Sequence, residues 1–223
     1  MSMTIKNVAL ISLGCDKNRV DAENMLYYLC GKDLVVTNDY SKADAIIVNT
    51  CAFIESARKE AIETILEMAE YKKNNCKRLI VTGCLSEKYR PQLIAELPDV
   101  DDFLGINEYE KIYAAIIGDE NAVCPVSEHK RVLTTPAHYA YLKISDGCNN
   151  HCTFCTIPSI RGAYKSRTIE SLTAELSDLV SRGVKEVILV AQDVTNYGKD
   201  LYGKPSLVEL LRELEKTDIE YIR

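Results

Sequence analysis

Cys148, Cys152 and Cys155 stand in the loop Cys148-Asn149-Asn150-His151-Cys152-Thr153-Phe154-Cys155, a C-x3-C-x2-C spacing. Soft thiolates this close together suit zinc or an iron–sulfur cluster. A tetrahedral structural zinc site needs a fourth ligand, which here would have to be His151 or His138, and His151 adjoins a ligand in a tight loop. An iron–sulfur cluster can use three thiolates and leave one iron open to an outside ligand. The loop's place, at the carboxyl end of a strand that opens a βα series, favours a catalytic cluster.

Three further cysteines occupy equivalent places: Ser12-Leu13-Gly14-Cys15, Val48-Asn49-Thr50-Cys51 and Val81-Thr82-Gly83-Cys84. Each directly follows an expected strand. With a flavodoxin-like order of 2-1-3-4-5 these strands are neighbours at the switch point, where open parallel sheets bind ligands. Three thiolates would then converge on one spot, with helix N-termini favouring their anionic form. A single cysteine is often only a small core hydrophobe, but three at one topological point are harder to explain that way. Cys30, Cys76 and Cys124 share no such correlation and read as bystanders. Asn18 and Asn49 could orient the first set through hydrogen bonds, or serve as helix N-caps.

The elements that must position these residues follow from periodicity. Val8–Leu13, Leu34–Thr37, Ala45–Val48, Leu79–Thr82 and Asp102–Leu104 read as strands. Between them, Asp21–Cys30 closes at Gly31 as a helix, and Ile54–Tyr71 carries Ala57, Ala61, Ile62, Ile65, Leu66 and Ala69 at helical spacing. Two more helices are expected near Pro91–Leu97, with Pro91 in the first turn, and Glu108–Ile117. Residues 119–137 read as a linker. A second alternation follows: strand Ala140–Ser145, helix Ile169–Ser181 closed by Gly183, strand Glu186–Ala191, helix Ser206–Lys216 opened by a serine cap, and the start of a strand at Ile219–Arg223. The expected fold is therefore α/β: a flavodoxin/Rossmann-like parallel-sheet domain at 1–118, then the first part of a (βα) partial barrel at 138–223.

Composition bounds the function. The 223 residues are 47% hydrophobic and 27% charged, values of an ordinary globular protein, and amount to one domain and part of another. No apolar run nears a membrane span and no secretory segment opens the chain, so a cytoplasmic protein is expected, with no membrane partner. A net charge of −6 gives no strong nucleic-acid footprint. Nine cysteines, an odd number without a secretory signal, argue for metal or redox chemistry over a disulfide framework.

With both cysteine sets in view, the chain resembles the methylthiotransferases, a family of radical S-adenosylmethionine (SAM) enzymes. The resemblance rests on the six cysteines, Ile157-Pro158-Ser159-Ile160-Arg161-Gly162 and Ser166-Arg167, and covers nearly the whole chain. The transfer RNA branch typically has Gln-Met-Asn after the first cysteine and Gln-Asn-Val after the second barrel strand. Here Lys17-Asn18, Ile144-Ser145-Asp146-Gly147 and Gln192-Asp193 are similar instead to the branch that modifies an aspartate of ribosomal protein S12. The acidic balance agrees with a protein substrate. Alternatives are a transfer RNA adenosine methylthiotransferase and a non-catalytic zinc or Fe–S protein.

The resemblance implies two [4Fe-4S] clusters and SAM. Cys148, Cys152 and Cys155 would hold the cluster that passes an electron, from an external electron donor, to SAM; the resulting 5′-deoxyadenosyl radical would take hydrogen from the aspartate β-carbon. Cys15, Cys51 and Cys84 would hold an auxiliary cluster carrying the sulfur, and a second SAM would supply the methyl group. Gln192 and Asp193 end the second barrel strand, where cofactor contacts are common in these enzymes, and Phe154 would pack over the cluster or the adenine. Arg161 and Arg167 would pair with a carboxylate or anchor the loop. The second βα series is expected to continue past Arg223, and the 223-residue chain alone to lack turnover.

Overall fold

Alternating aliphatic runs build the first sheet. In the computed structural model, which describes residues 5–29, 34–119, 121–122 and 131–223, strands β1 (Asn7–Ser12), β2 (Val35–Val36), β3 (Ala45–Thr50), β4 (Arg78–Gly83) and β5 (Asp102–Phe103) pair in parallel in the order β2-β1-β3-β4-β5. This is the flavodoxin-like order expected. The six residues of β3 are all buried, as a central parallel strand covered on both faces requires.

Side chains one residue apart on a strand point to opposite faces. Val8, Ala45, Ile47 and Ile80 share a core with Ala22, Met25 and Leu29 of helix α1 (Asp16–Leu29) and Ile112 and Ile116 of helix α4 (Ile112–Ile117). Ile46, Val48, Leu79 and Val81 take the other phase and are fully buried. Helices α2 (Glu55–Glu70) and α3 (Cys84–Glu96) pack on β3 and β4. On α2 the buried positions are Ala61, Ile65 and Met68, whereas Ile62 and Leu66 are exposed, so only part of its apolar spacing faces the sheet. Tyr89, at φ −122° and ψ 18°, kinks α3, which places Pro91 at the start of its second segment.

An ion cluster ties α3 to the end of the sheet. Glu108 accepts hydrogen bonds from Lys111 Nζ and Gly105 N–H, each at 2.8 Å, and from the Arg90 guanidinium. Burial pushes its carboxyl up, but these donors prevail and bring the pKa from 4.5 to about 2. A depressed carboxylate contributes stability above its unfolded pKa and loses it as pH falls through the folded value. The full chain's resistance to urea should therefore fall as pH drops from 4.5 toward about 2, and Glu108→Gln should flatten that limb. An unchanged limb in the variant would remove Glu108 from the acid response.

The chain divides into two units, Met1–Val126 and Ser127–Arg223. In the second, strands β6 (Tyr139–Lys143), β9 (Glu186–Val190) and β10 (Tyr221–Ile222) form a parallel sheet ordered β10-β9-β6. Helices α6 (Ile169–Ser181) and α8 (Leu207–Leu214) supply Leu172, Leu176, Leu210 and Leu214 to its core, with Leu142, Ile144 and Val187. The expected strand 140–145 is two pieces. It breaks at Ile144, and Ser145–Asp146 (β7) pairs antiparallel with Lys165–Ser166 (β8), framing the cysteine loop and helix α5 (Ile157–Arg161). Ser206 precedes α8, but its hydroxyl donates to Lys204 O at 3.1 Å and so does not cap the helix. No helix among the described residues is long and apolar enough to cross a membrane. Cys30, Gly31, Cys124 and much of 119–137 lie outside the described residues.

Candidate functional site

The register of the first sheet fixes where its three cysteines emerge. Ser12 pairs with Asn49, Asn49 with Thr82 and Thr50 with Gly83, so Cys51 and Cys84 leave neighbouring strands side by side. Gly14, at φ +90°, brings the Cys15 turn so close that a Cβ there would lie 2.6 Å from Cys51 Cβ and 3.0 Å from its Sγ. Gly83, at φ +92°, is as tight: a Cβ would lie 2.5 Å from both Asn49 Oδ1 and Thr50 O. Only glycine fits such approaches at positive φ.

Asn18 joins the three strand ends. Its Nδ2 donates to Leu13 O at 3.1 Å and Thr50 O at 2.9 Å, the Cys84 thiol donates to its Oδ1 at 3.7 Å, and its own carbonyl accepts from Asn49 Nδ2 at 2.8 Å. Asn18 is 1% exposed and lies inside α1, which begins at Asp16. Neither Asn18 nor Asn49 is therefore an N-cap. Helix α1 starts one residue after Cys15, and α3 starts at Cys84 itself.

In the second unit the loop after β7 carries Cys148, Cys152 and Cys155. Cys148 N–H donates to Gly162 O at 3.2 Å and Cys155 N–H to Cys152 O at 3.0 Å. Tyr164 N–H donates to Asn149 Oδ1 at 3.0 Å, and Asn150 Nδ2 donates to Asp193 Oδ2 at 2.8 Å. The chain reverses at His151, which has φ +49°. Phe154 is 87% exposed. A cavity of about 220 Å³ opens between Cys148, Asn149 and Asn150 on one side and Asn196, Lys199 and Asp200 on the other.

Charges gather at the floor of this loop. Asp146 accepts from Arg161 at 2.8 Å, Lys143 at 3.1 Å and Gln192 Nε2 at 3.1 Å. Burial pushes its carboxyl up, but the Lys143 and Arg161 cations hold it below the usual range. Gln192 Oε1 is buried with no hydrogen-bond partner. Arg167 pairs with Glu175 at 2.5 Å and Ser171 at 2.8 Å, so Arg161 and Arg167 each find a carboxylate.

Sequence reasoning missed the grip on β8. Ser166 N–H donates to Asp200, Ser166 Oγ accepts from Gly198 N–H, and the fully buried Tyr197 donates to Arg167 O. Ser166-Arg167 and the Tyr197-Gly198-Lys199-Asp200 stretch were each visible; their pairing, about thirty residues apart, has no local periodicity to reveal it.

The seven described cysteines are free thiols, with Cys15 and Cys152 exposed and Cys51 and Cys84 buried. As they stand, no three His, Cys, Asp or Glu side chains among the described residues close on a metal position. The three strand ends of the first unit are brought together, but their thiol groups are not drawn in. The donor sets nonetheless fit soft metal centres: three sulfurs on converging turns, three on one open loop, and an orphan amide oxygen at the adjoining strand end. Cys76 stands apart, with its thiol donating to Arg78 O at 3.3 Å and its pKa pushed up by burial.

Residues 7–105 match the uncharacterized protein family UPF0004, and residues 142–223 match the radical SAM superfamily. Along the chain, the stretch similar to UPF0004 thus comes ahead of the stretch similar to the radical SAM superfamily. It is 51% identical to the ribosomal protein uS12 methylthiotransferase RimO of Clostridium tetani, over 99% of this chain and 52% of that protein. The corresponding figures are 52% identity, 97% and 51% for the enzyme of Clostridium novyi, and 50%, 98% and 52% for that of Acetivibrio thermocellus. The chain spans about half the length of the curated relatives it matches.

Solved structures agree on the fold. The radical SAM methyltransferase TsrM from Kitasatospora setae, solved with cobalamin and a [4Fe-4S] cluster bound, has a TM-score of 0.60 at 15% identity, covering 94% of this chain and 52% of that one. The cobalamin-dependent radical SAM enzyme OxsB with aqua-cobalamin bound also scores 0.60, at 13% identity, covering 97% of this chain and 38% of that one.

Proposed function

We propose that this chain carries the two cluster-binding parts of a methylthiotransferase that places sulfur and a methyl group on the β-carbon of an aspartate in ribosomal protein S12. In this reading residues 1–118 hold an auxiliary [4Fe-4S] cluster on Cys15, Cys51 and Cys84, residues 119–137 are the linker, and residues 138–223 hold a second [4Fe-4S] cluster on Cys148, Cys152 and Cys155. The supporting observation is the pairing of three thiols at adjacent strand ends with three on one loop, in a chain about half identical to the uS12 enzymes.

When bound, the second cluster and SAM supply the radical needed to break an unactivated C–H bond, work no side-chain base performs at neutral pH. The chain's own residues bind and orient. Gln192 Oε1, an acceptor without a partner, suits the ammonium group of SAM at the end of β9. Lys143 and Arg161 both pair with Asp146, which fixes two cations at the floor of the loop that would carry an anionic cluster. Phe154, exposed beside two ligands, excludes water once it packs on the bound group. The electron comes from an external donor, and the setting is the cytoplasm.

The direct experiment complements a strain lacking the activity with a full-length version of this protein, then compares S12 and transfer RNA by mass analysis. A methylthio group on the S12 aspartate is expected. The modification on transfer RNA adenosine, with S12 unchanged, would overturn the substrate assignment.

A further inference from the structure

The Asp193 carboxylate is filled by protein donors. Oδ1 accepts from Thr195 N–H at 3.0 Å and Thr195 Oγ1 at 2.6 Å, and Oδ2 from Asn196 Nδ2 at 2.5 Å and Asn150 Nδ2 at 2.8 Å. A carboxylate offers about four lone-pair sites, so none is left for a cofactor's ammonium. Three donors belong to Asp193's own turn. The fourth, Asn150, lies 43 residues away, between Cys148 and Cys152.

That contact falls where the loop needs holding. The next residue, His151, adopts a left-handed backbone that a non-glycine residue takes only when its surroundings impose it. Tyr164 braces the same place from the other side: its N–H holds Asn149, and its hydroxyl donates to Asp193 O at 2.8 Å. Asn149 and Asn150 are thus tied to both Tyr164 and Asp193, while His151, Cys152, Thr153 and Phe154 are exposed.

We infer that Asp193 is a positioning residue, which acts through Asn150 to latch the first half of the three-cysteine loop, and is not a contact for the cofactor. The inference rests on the reading that Cys148, Cys152 and Cys155 hold a cluster. Latching one half leaves Cys152 and Cys155 able to swing toward a Cys148 whose place is already set.

The test uses the full 223-residue chain with Asn150→Ala, Asp193→Ala and the exchanged pair Asn150→Asp with Asp193→Asn, in which donor and acceptor trade places. In the apo chain, amide exchange at Cys148 and Tyr164, whose N–H groups are hydrogen-bonded at the latched half, is expected to be roughly tenfold faster in each single variant, the effect of one charge-assisted hydrogen bond, and to return most of the way in the exchanged pair. After anaerobic reconstitution in a Cys15→Ala background, both single variants should lose iron to a chelator several-fold faster than the parent. SAM affinity per retained cluster should stay within about twofold, because no cofactor contact has been removed.

Asp193→Ala that keeps loop protection and iron but loses SAM affinity about tenfold would overturn the inference and make Asp193 a cofactor contact. Exchange that the exchanged pair does not restore would also overturn it. A parent that takes up no iron at Cys148 would defeat the cluster reading instead, and exchange in the apo chain would still decide the latch.

Discussion

On the proposed reading, in which each set of three thiolates holds its own four-iron cluster, Cys148→Ala is expected to remove about half of the iron and sulfide from the anaerobically reconstituted chain, and Cys15→Ala the other half. The double variant should hold neither metal nor sulfide. The geometry supports independence: Cys15, Cys51 and Cys84 emerge from adjacent strands of the first unit, and Cys148, Cys152 and Cys155 from one loop of the second. Removing one of three thiolates leaves a cluster two protein ligands, too few to retain it against chelator. Iron, sulfide and zinc are counted per chain, and the electron-paramagnetic signal of each single variant should be that of one reduced cluster. Loss of all iron from either single variant would contradict two independent sites. Zinc without sulfide would replace both clusters with structural zinc.

Asn18→Ala is expected to be nearly as damaging, by a different route. The substitution deletes a side chain that satisfies Leu13 O and Thr50 O and receives the Cys84 thiol, in a place where Asn18 is 1% exposed. A buried polar group left without its partner costs about 1–3 kcal/mol, so two stranded carbonyls and a cavity put the loss at several kcal/mol, a large share of the ~5–15 kcal/mol that holds a domain together. Asn18→Asp should be no rescue, since a carboxylate would place oxygen against both carbonyls. Urea unfolding of the first unit, followed through tyrosine signals such as that of Tyr28 in its core, should show a much lower midpoint. Iron should fall by about half, from the first set alone. A variant with unchanged stability and full iron would show that the three strand ends hold their places without Asn18.

Much of this arrangement could be read from residue types. The runs at Ala45–Val48 and Leu79–Thr82 announce buried strands, and with the flavodoxin-like order 2-1-3-4-5, which the sheet adopts, the three cysteines fall at neighbouring strand ends. Helix α1 begins at Asp16, five residues ahead of the Asp21 start that apolar spacing predicts. Its first turn, Asp16-Lys17-Asn18-Arg19, has no apolar periodicity, and its buried face includes Asn18, Asp21 and Glu23, which hydropathy assigns to solvent. The split at Ile144 has no local signal, because the apolar alternation of Ala140, Leu142 and Ile144 runs unbroken up to it, whereas pairing of Ser145–Asp146 with Lys165–Ser166 is a long-range choice. The place of Asp193 at a strand end suggests a cofactor contact. Nothing local discloses that Asn150, across 43 residues, fills one of its acceptor sites.

Gly14 and Gly83 carry a consequence for how tolerance to mutation should be interpreted. Each sits at positive φ where a single added carbon would lie 2.6 Å or less from a neighbouring turn. A saturation screen of this chain would therefore rank both glycines beside the cysteines, although neither has a side-chain atom to offer a metal. Intolerance at those two positions measures the room left between three converging turns, and it would persist in a protein stripped of every cluster.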